Sequence, residues 1–230
     1  MSYYNQSEMA LAQQTSQVMK SVYVKMFLAM LVTAATSWVV SNNVTIMNFM
    51  FQNSWVYWAL LIGELGLVFA ISGAINKLSE TSATLLFYLY SIINGVVFSV
   101  ILIAYTGESI FKTFLITAGV FGAMSIYGYF TSSDLTKIGT FLRMALIGLI
   151  ICIVVNLFLA SSKLDWIISF AGVAIFIGLT AWDTQKIKRM AANADPAFMG
   201  KLSTIGALTL YLDFVNLFLY LLRFFGNSRN

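Results

Sequence analysis

The chain has 230 residues, of which 60% are hydrophobic and only 10% charged, with a net charge of +4. A soluble domain usually carries about 25% charged residues, so this chain cannot cover a water-facing surface, and the bilayer is its solvent. It contains no histidine, which removes Ser-His-Asp and Cys-His catalysis and histidine-rich metal sites. The small basic excess sits in short loops and carries no nucleic-acid reading.

In chain order, residues 1–21 read as a polar cytoplasmic tail without the basic start and apolar core of a cleavable signal peptide. A spanning helix needs about 20 mostly apolar residues. The first such run is 22–40, with Lys25 expected to snorkel to the interface. The others are 54–72, 84–105, 109–130, 141–160, 166–184 and 203–225, followed by a short tail, 226–230. Residues 22–225 therefore form one seven-helix transmembrane domain in an all-α polytopic protein. Barrel strands would be about half as long and would alternate strictly. Residues 185–202, with the only proline, Pro196, read as the longest hydrophilic connection, and 131–139 as a second polar loop.

Trp38, Trp55, Trp58, Trp166 and Trp182 fall near helix ends, as an aromatic belt would. The single Cys152 lies in an apolar run and reads as an inert buried thiol. Lys20, Lys25, Lys77, Lys137, Arg143, Lys186, Lys188, Arg189 and Lys201 lie on one side of the spans. Lys112, Lys163, Arg223 and Arg229 lie on the other. This bias predicts a cytoplasmic amino terminus and an external carboxyl terminus.

Charge within a bilayer costs at least about 2.5–3.5 kcal/mol on insertion scales, so it faces the protein interior and serves a purpose. Asp213 is near the middle of the seventh run, with Asn216 and Tyr220 on the same stripe. Asp183 ends the sixth run, and meets Asp213 only if that helix continues past Lys188. Glu64 is central in the second run between Gly63 and Gly66, which would permit close helix approach. Its expected cation is Arg223. Asn94 and Asn156 read as interhelical hydrogen bonders lining a polar cavity with Asn216.

Four ordered blocks carry a family resemblance: Gly-Glu-Leu-Gly-Leu-Val-Phe at 63–69, Tyr-Gly-Tyr-Phe-Thr-Ser-Ser-Asp-Leu-Thr at 127–136, Thr-Ala-Trp-Asp-Thr-Gln-Lys-Ile-Lys at 180–188, and Leu-Tyr-Leu-Asp-Phe-Val-Asn-Leu-Phe-Leu-Tyr-Leu-Leu-Arg at 210–223. With them the chain resembles the Bax inhibitor-1/YccA family, the transmembrane Bax-inhibitor-motif proteins, in its bacterial branch. The resemblance implies a seven-helix fold with the seventh helix near the centre, in a bacterial inner membrane. It implies a pH-sensitive calcium leak controlled by an aspartate pair, here Asp183 and Asp213, and a second ion-pair latch, here Glu64 and Arg223. Some relatives carry an arginine late in the second helix that latches the first aspartate; Ala74 stands there in this chain, with Lys77 about one turn on.

Two carboxylates held close in low dielectric cannot both ionise cheaply, so a proton belongs to the pair. A shared proton would bridge the helices with oxygens about 2.5–2.7 Å apart. Its loss would leave an oxygen-rich anionic site that attracts a hard cation, so calcium would bind Asp183 and Asp213 transiently. The leading reading is a calcium leak channel or calcium/proton exchanger, not an enzyme, with no resident cofactor. Its partners would be lipid, calcium and protons. The alternative is an interaction protein that modulates a membrane protease or stress response. An intramembrane aspartyl protease would show Gly-x-Gly-Asp and Pro-Ala-Leu motifs, whereas this chain has Leu-Tyr-Leu-Asp and no membrane proline. A retinal protein would need a lysine between 203 and 225, where there is none.

Overall fold

The computed structural model describes residues 2–227 and 229, with side chains from residue 9 onward. Met1, Ser228 and Asn230, which belong to the two expected tails, lie outside the described residues. The described residues form α1 (Ser2–Ser41), α2 (Val44–Gln52), α3 (Ser54–Ala74), α4 (Glu80–Ala104), α5 (Gly107–Phe130), α6 (Thr136–Leu159), α7 (Ser162–Ala192), a 3-10 turn (Pro196–Phe198) and α8 (Met199–Phe225). Seven of these helices are long and apolar enough to cross a membrane, all but α2. The protein is thus an all-α polytopic membrane protein.

Helix ends follow local chemistry. Asn43, Ser79 and Thr106 each accept a backbone N–H from the first turn of α2, α4 and α5, satisfying donors that the helix itself leaves open. Helix α6 stops at Ala160, which adopts a left-handed conformation (φ 47°) and donates its N–H to Asn156 O. The short α2 is absent from the sequence reading because nine residues are too few to register as a span. Asn43 and the three-residue spacing of its buried Met47 and Met50 are the signals that mark it.

Several expectations change. Helix α1 runs through the expected polar tail, and Thr15, Val18 and Met19 in it are buried. Helix α7 continues to Ala192, so the expected loop 185–202 shrinks to a three-residue link and the 3-10 turn, where Asp195 caps Ala197 N. Cys152 is exposed on α6, a helix whose apolar stretch is only 11% buried. Gly63 and Gly66 face open space rather than a neighbouring helix, and α3 is the least buried span, at 6%. Helix α8 is the most enclosed, with 72% of its apolar stretch buried.

The chain divides into two compact units. The first comprises residues up to 105, 190–208 and Arg229. In it α4 packs against α1 and α3. Gly95 makes this close approach possible: a Cβ there would stand 2.6 Å from Thr36 Cβ. Thr33 and Ser37 of α1 donate to the α4 carbonyls of Ser91 and Gly95, both at 2.9 Å. Such bonds join helices in lipid, where apolar burial supplies little drive. Lys25 reaches toward the starts of α4 and α8. Its side chain is 14% exposed and its ammonium meets Glu80 Oε1 at 3.2 Å, Ser203 Oγ at 2.8 Å, Thr204 Oγ1 at 2.9 Å and Gly200 O at 3.2 Å.

The second unit comprises residues 106–189 and 209–227. Helices α5, α7 and α8 touch one another pairwise there. Phe121 of α5 packs edge-on to Phe214 of α8, Gly128 of α5 meets the Ala181 backbone of α7, and Phe176 of α7 stacks with Tyr220 of α8.

Candidate carboxylate site in the second unit

Two contacts align α7 and α8 as antiparallel neighbours. Arg223, late in α8, pairs with Asp165, early in α7, and the Phe176 and Tyr220 rings stack at 5.9 Å. Gly172 leaves room for the Tyr220 ring, since a Cβ there would lie 2.7 Å from it. From Phe176, seven residues along α7 lead to Asp183. From Tyr220, seven residues back along α8 lead to Asp213. Two turns along each helix, about 10 Å, therefore bring both carboxylates to the same level. The continuation of α7 beyond Lys188 is what carries Asp183 inside a helix rather than into a loop.

Both aspartates are buried, 6% and 5% exposed. Asp183 stands near enough to Asp213 for each charge to bear on the other. Asp213 Oδ2 is shielded and receives no hydrogen bond from an N–H or hydroxyl donor. Lys186 and Arg143 are the cations that act on Asp183, and Lys186 also acts on Asp213. Neither cation was singled out from the sequence. The signal lay in Lys186 following Asp183 by three residues, one helical turn.

Trp182 organises these cations and is buried, not part of an aromatic belt. Arg143 stands over its ring at 4.7 Å and Lys186 at 5.1 Å. Gly139 of α6 makes the room, because a Cβ there would lie 2.1 Å from the indole. Trp38, Trp55, Trp58 and Trp166 are exposed, as belt residues would be.

A polar clasp holds the end of α7 beside this site. Gln185 accepts from Leu135 N at 3.0 Å and donates to Ser133 O at 2.8 Å. Lys188 donates to Tyr129 O at 2.6 Å. Arg189 pairs with Asp134 at 2.7 Å. Asp134, in the turn between α5 and α6, has its carboxyl pulled down to about 2, first by the Thr136 hydroxyl, then by the Thr136 N–H and by Arg189. This clasp keeps the 131–135 turn against α7.

The remaining expected site residues have local partners. Arg223 pairs with Asp165, and Glu64 accepts from Asn94 Nδ2 at 2.8 Å. Each of the two residues that the family resemblance implies as a latch thus has a partner within its own unit. Asn94 joins α4 to α3 as an interhelical donor. Asn156 does not join spans: its side chain accepts from Ser161 N at 3.0 Å and caps the α6–α7 turn. Asn216 donates to Leu212 O of its own helix at 2.8 Å. Ala74 ends α3, and its carbonyl accepts from Lys77 N at 2.8 Å.

Seven apolar spans and an intramembrane carboxylate pair define an integral membrane protein of a polar-core helical class. The chain belongs to the family described as inhibitor of apoptosis-promoting Bax1, whose model matches residues 15–230. It is 47% identical over 214 residues to the inner membrane protein YbhL of Escherichia coli (strain K12), covering 92% of each chain. It is 46% identical over 217 residues to a protein of Borreliella burgdorferi, covering 94% of each. To protein RP147 of Rickettsia prowazekii it is 45% identical over 213 residues, covering 92% of this chain and 90% of that one.

Proposed function

We propose that this protein is a pH-sensitive calcium leak channel or calcium/proton exchanger gated by Asp183 and Asp213. The observation that carries the reading is a pair of buried carboxylates at one level on the antiparallel neighbours α7 and α8. In low dielectric, charge on both groups is costly, and a proton held by the pair relieves it. Loss of that proton leaves oxygen ligands of the kind that calcium prefers. Proton and calcium then compete for one place. Lys186 and Arg143 hold Asp183 by charge in the absence of either, the part that a second-helix arginine plays in some relatives.

The basic residues gather on the amino-terminal side of the spans, which supports a cytoplasmic amino terminus. The name of the Escherichia coli relative supports placement in a bacterial inner membrane. The test is reconstitution into liposomes loaded with a calcium dye, at acidic and neutral pH. Calcium entry that rises as pH rises, and that loses this dependence in Asp213→Asn, is the expected result. Liposomes no more permeable than protein-free ones at every pH would defeat the proposal.

A further inference from the structure

A cavity of about 300 Å³ lies in the second unit, where α5 begins and α8 ends. That is the low end of the range for small-ligand clefts, about 300–1,000 Å³. Two hydrogen bonds fix its wall. Thr106 N donates to Asn227 O at 3.1 Å, and Asn227 N donates to Ser109 Oγ at 3.0 Å. The chain just after α8 is thus tied to the first turn of α5. Thr106 also caps that turn, its hydroxyl accepting from Ser109 N at 3.3 Å.

The lining combines an open buried hydroxyl, an ion pair and an apolar edge. Thr113 lines the cavity at only 1% exposure, and its hydroxyl makes no hydrogen bond to any described residue. Thr117, one turn on, instead donates to Thr113 O at 2.7 Å, an option open to any helical threonine. Buried polar groups are nearly always satisfied, so the idle Thr113 hydroxyl calls for a cause. At the open side, Lys112 Nζ pairs with Glu108 Oε1 at 2.5 Å, and both side chains are largely exposed. Ile116 and Phe225 complete the lining and are themselves exposed. Both belong to spans, so the cavity opens onto a surface that meets lipid.

We propose that this cavity holds the headgroup of a zwitterionic phospholipid with a primary ammonium, phosphatidylethanolamine. Its phosphate takes Lys112 and the Thr113 hydroxyl, and its ammonium takes Glu108. A side-chain ion pair suits a guest that carries both signs, because each partner gives up one opposite charge and gains another. Charge-assisted bonds to phosphate and to carboxylate are the stronger kind. A purely anionic headgroup would leave Glu108 facing phosphate unpaired. Free phosphate would leave the exposed Ile116 and Phe225 unused, whereas acyl chains run along them into the bilayer.

Native mass spectrometry of the purified full-length protein tests this, with melting in detergent to check folding. The probes are phosphatidylethanolamine, phosphatidylcholine, phosphatidylglycerol and inorganic phosphate. Phosphatidylethanolamine should be retained most strongly. Lys112→Ala should weaken that retention about fivefold, as loss of an exposed charge does. Thr113→Val should weaken it about tenfold, as loss of a buried hydrogen bond to a charged group does, and Thr113→Ser should keep it. Glu108→Gln should turn the preference toward phosphatidylglycerol, because the ammonium loses its partner and the anion its repulsion. Lys112 and Glu108 are exposed, so their variants carry the test if Thr113→Val does not fold. Equal retention of phosphatidylcholine, whose ammonium has no N–H to donate, would overturn the proposal. So would a preference of the unaltered protein for phosphatidylglycerol, or retention indifferent to both Lys112→Ala and Glu108→Gln. Inorganic phosphate held as firmly as the lipid would overturn it too, marking a site for the free ion.

Discussion

Asp183 and Asp213 each stand two helical turns from a stacked ring pair, Phe176 and Tyr220, on antiparallel neighbours α7 and α8. The ring stack therefore acts as a gauge for the carboxylates. A shift of one helix along the other by one residue would move the pair out of register by about 1.5 Å. This makes the carboxylate interaction sensitive to the packing of rings roughly 10 Å away.

Asp213→Asn should abolish the dependence of calcium flux on pH, because an amide neither ionises nor shares a proton. Asp183→Asn should do the same, since the proton belongs to the pair. Liposome flux measured between acidic and neutral pH checks both. A variant with an unaltered pH profile would remove that residue from the sensor.

Arg223 and Asp165 should be energetically coupled. Both side chains are about two-fifths exposed, at 42% and 41%, so the coupling is expected to be modest, about 1 kcal/mol or less. A double-mutant cycle of Arg223→Gln and Asp165→Asn, read by melting in detergent, measures it. Additive effects there would show that Arg223 and Asp165 do not meet, and coupling between Arg223→Gln and Glu64→Gln would support the latch that the family resemblance implies.

Asp134 should not contribute to pH sensing. Its carboxyl is pulled down to about 2, below the ordinary value of 3.8, by Thr136 and then Arg189. A depressed folded-state value means its stabilising effect is present above the unfolded value and is lost only as pH falls toward 2. Through the acidic to neutral range the group stays ionised. Asp134→Asn should then lower the melting temperature of the protein slightly and leave the shape of the flux-pH curve intact. A displaced curve would show that the clasp at the end of α7 is part of the gate.

Gly128→Ala should destabilise by about 1–3 kcal/mol, the usual cost of overpacking. A Cβ there would lie 2.1 Å from the Ala181 carbonyl oxygen, and backbone cannot rotate away. Gly148→Ala on α6 is the control, because a Cβ there meets nothing within 4 Å. Equal melting temperatures for the two variants would contradict the close α5–α7 approach.

What the sequence determined by itself is what depends on single residues and their neighbours along the chain. Transfer into lipid is close to a sum over residues, so seven long apolar runs were legible, and so was the anomaly of Asp213 among leucine and phenylalanine. Residue blocks likewise carried the family. Tertiary structure alone decided which faces meet. Lys25 reads as an interfacial lysine, but its acceptors, Ser203, Thr204, Glu80 and the Gly200 carbonyl, come from about 55 to 180 residues away along the chain. Trp182 looked like a belt residue until Gly139 opened a slot for it. Arg223 took Asp165, which no periodicity singled out, because the antiparallel alignment of α7 and α8 brings an early residue of one beside a late residue of the other. Hydropathy records how each segment meets lipid, but the partner of a buried charge is set by helix register and crossing, which are properties of the packed bundle.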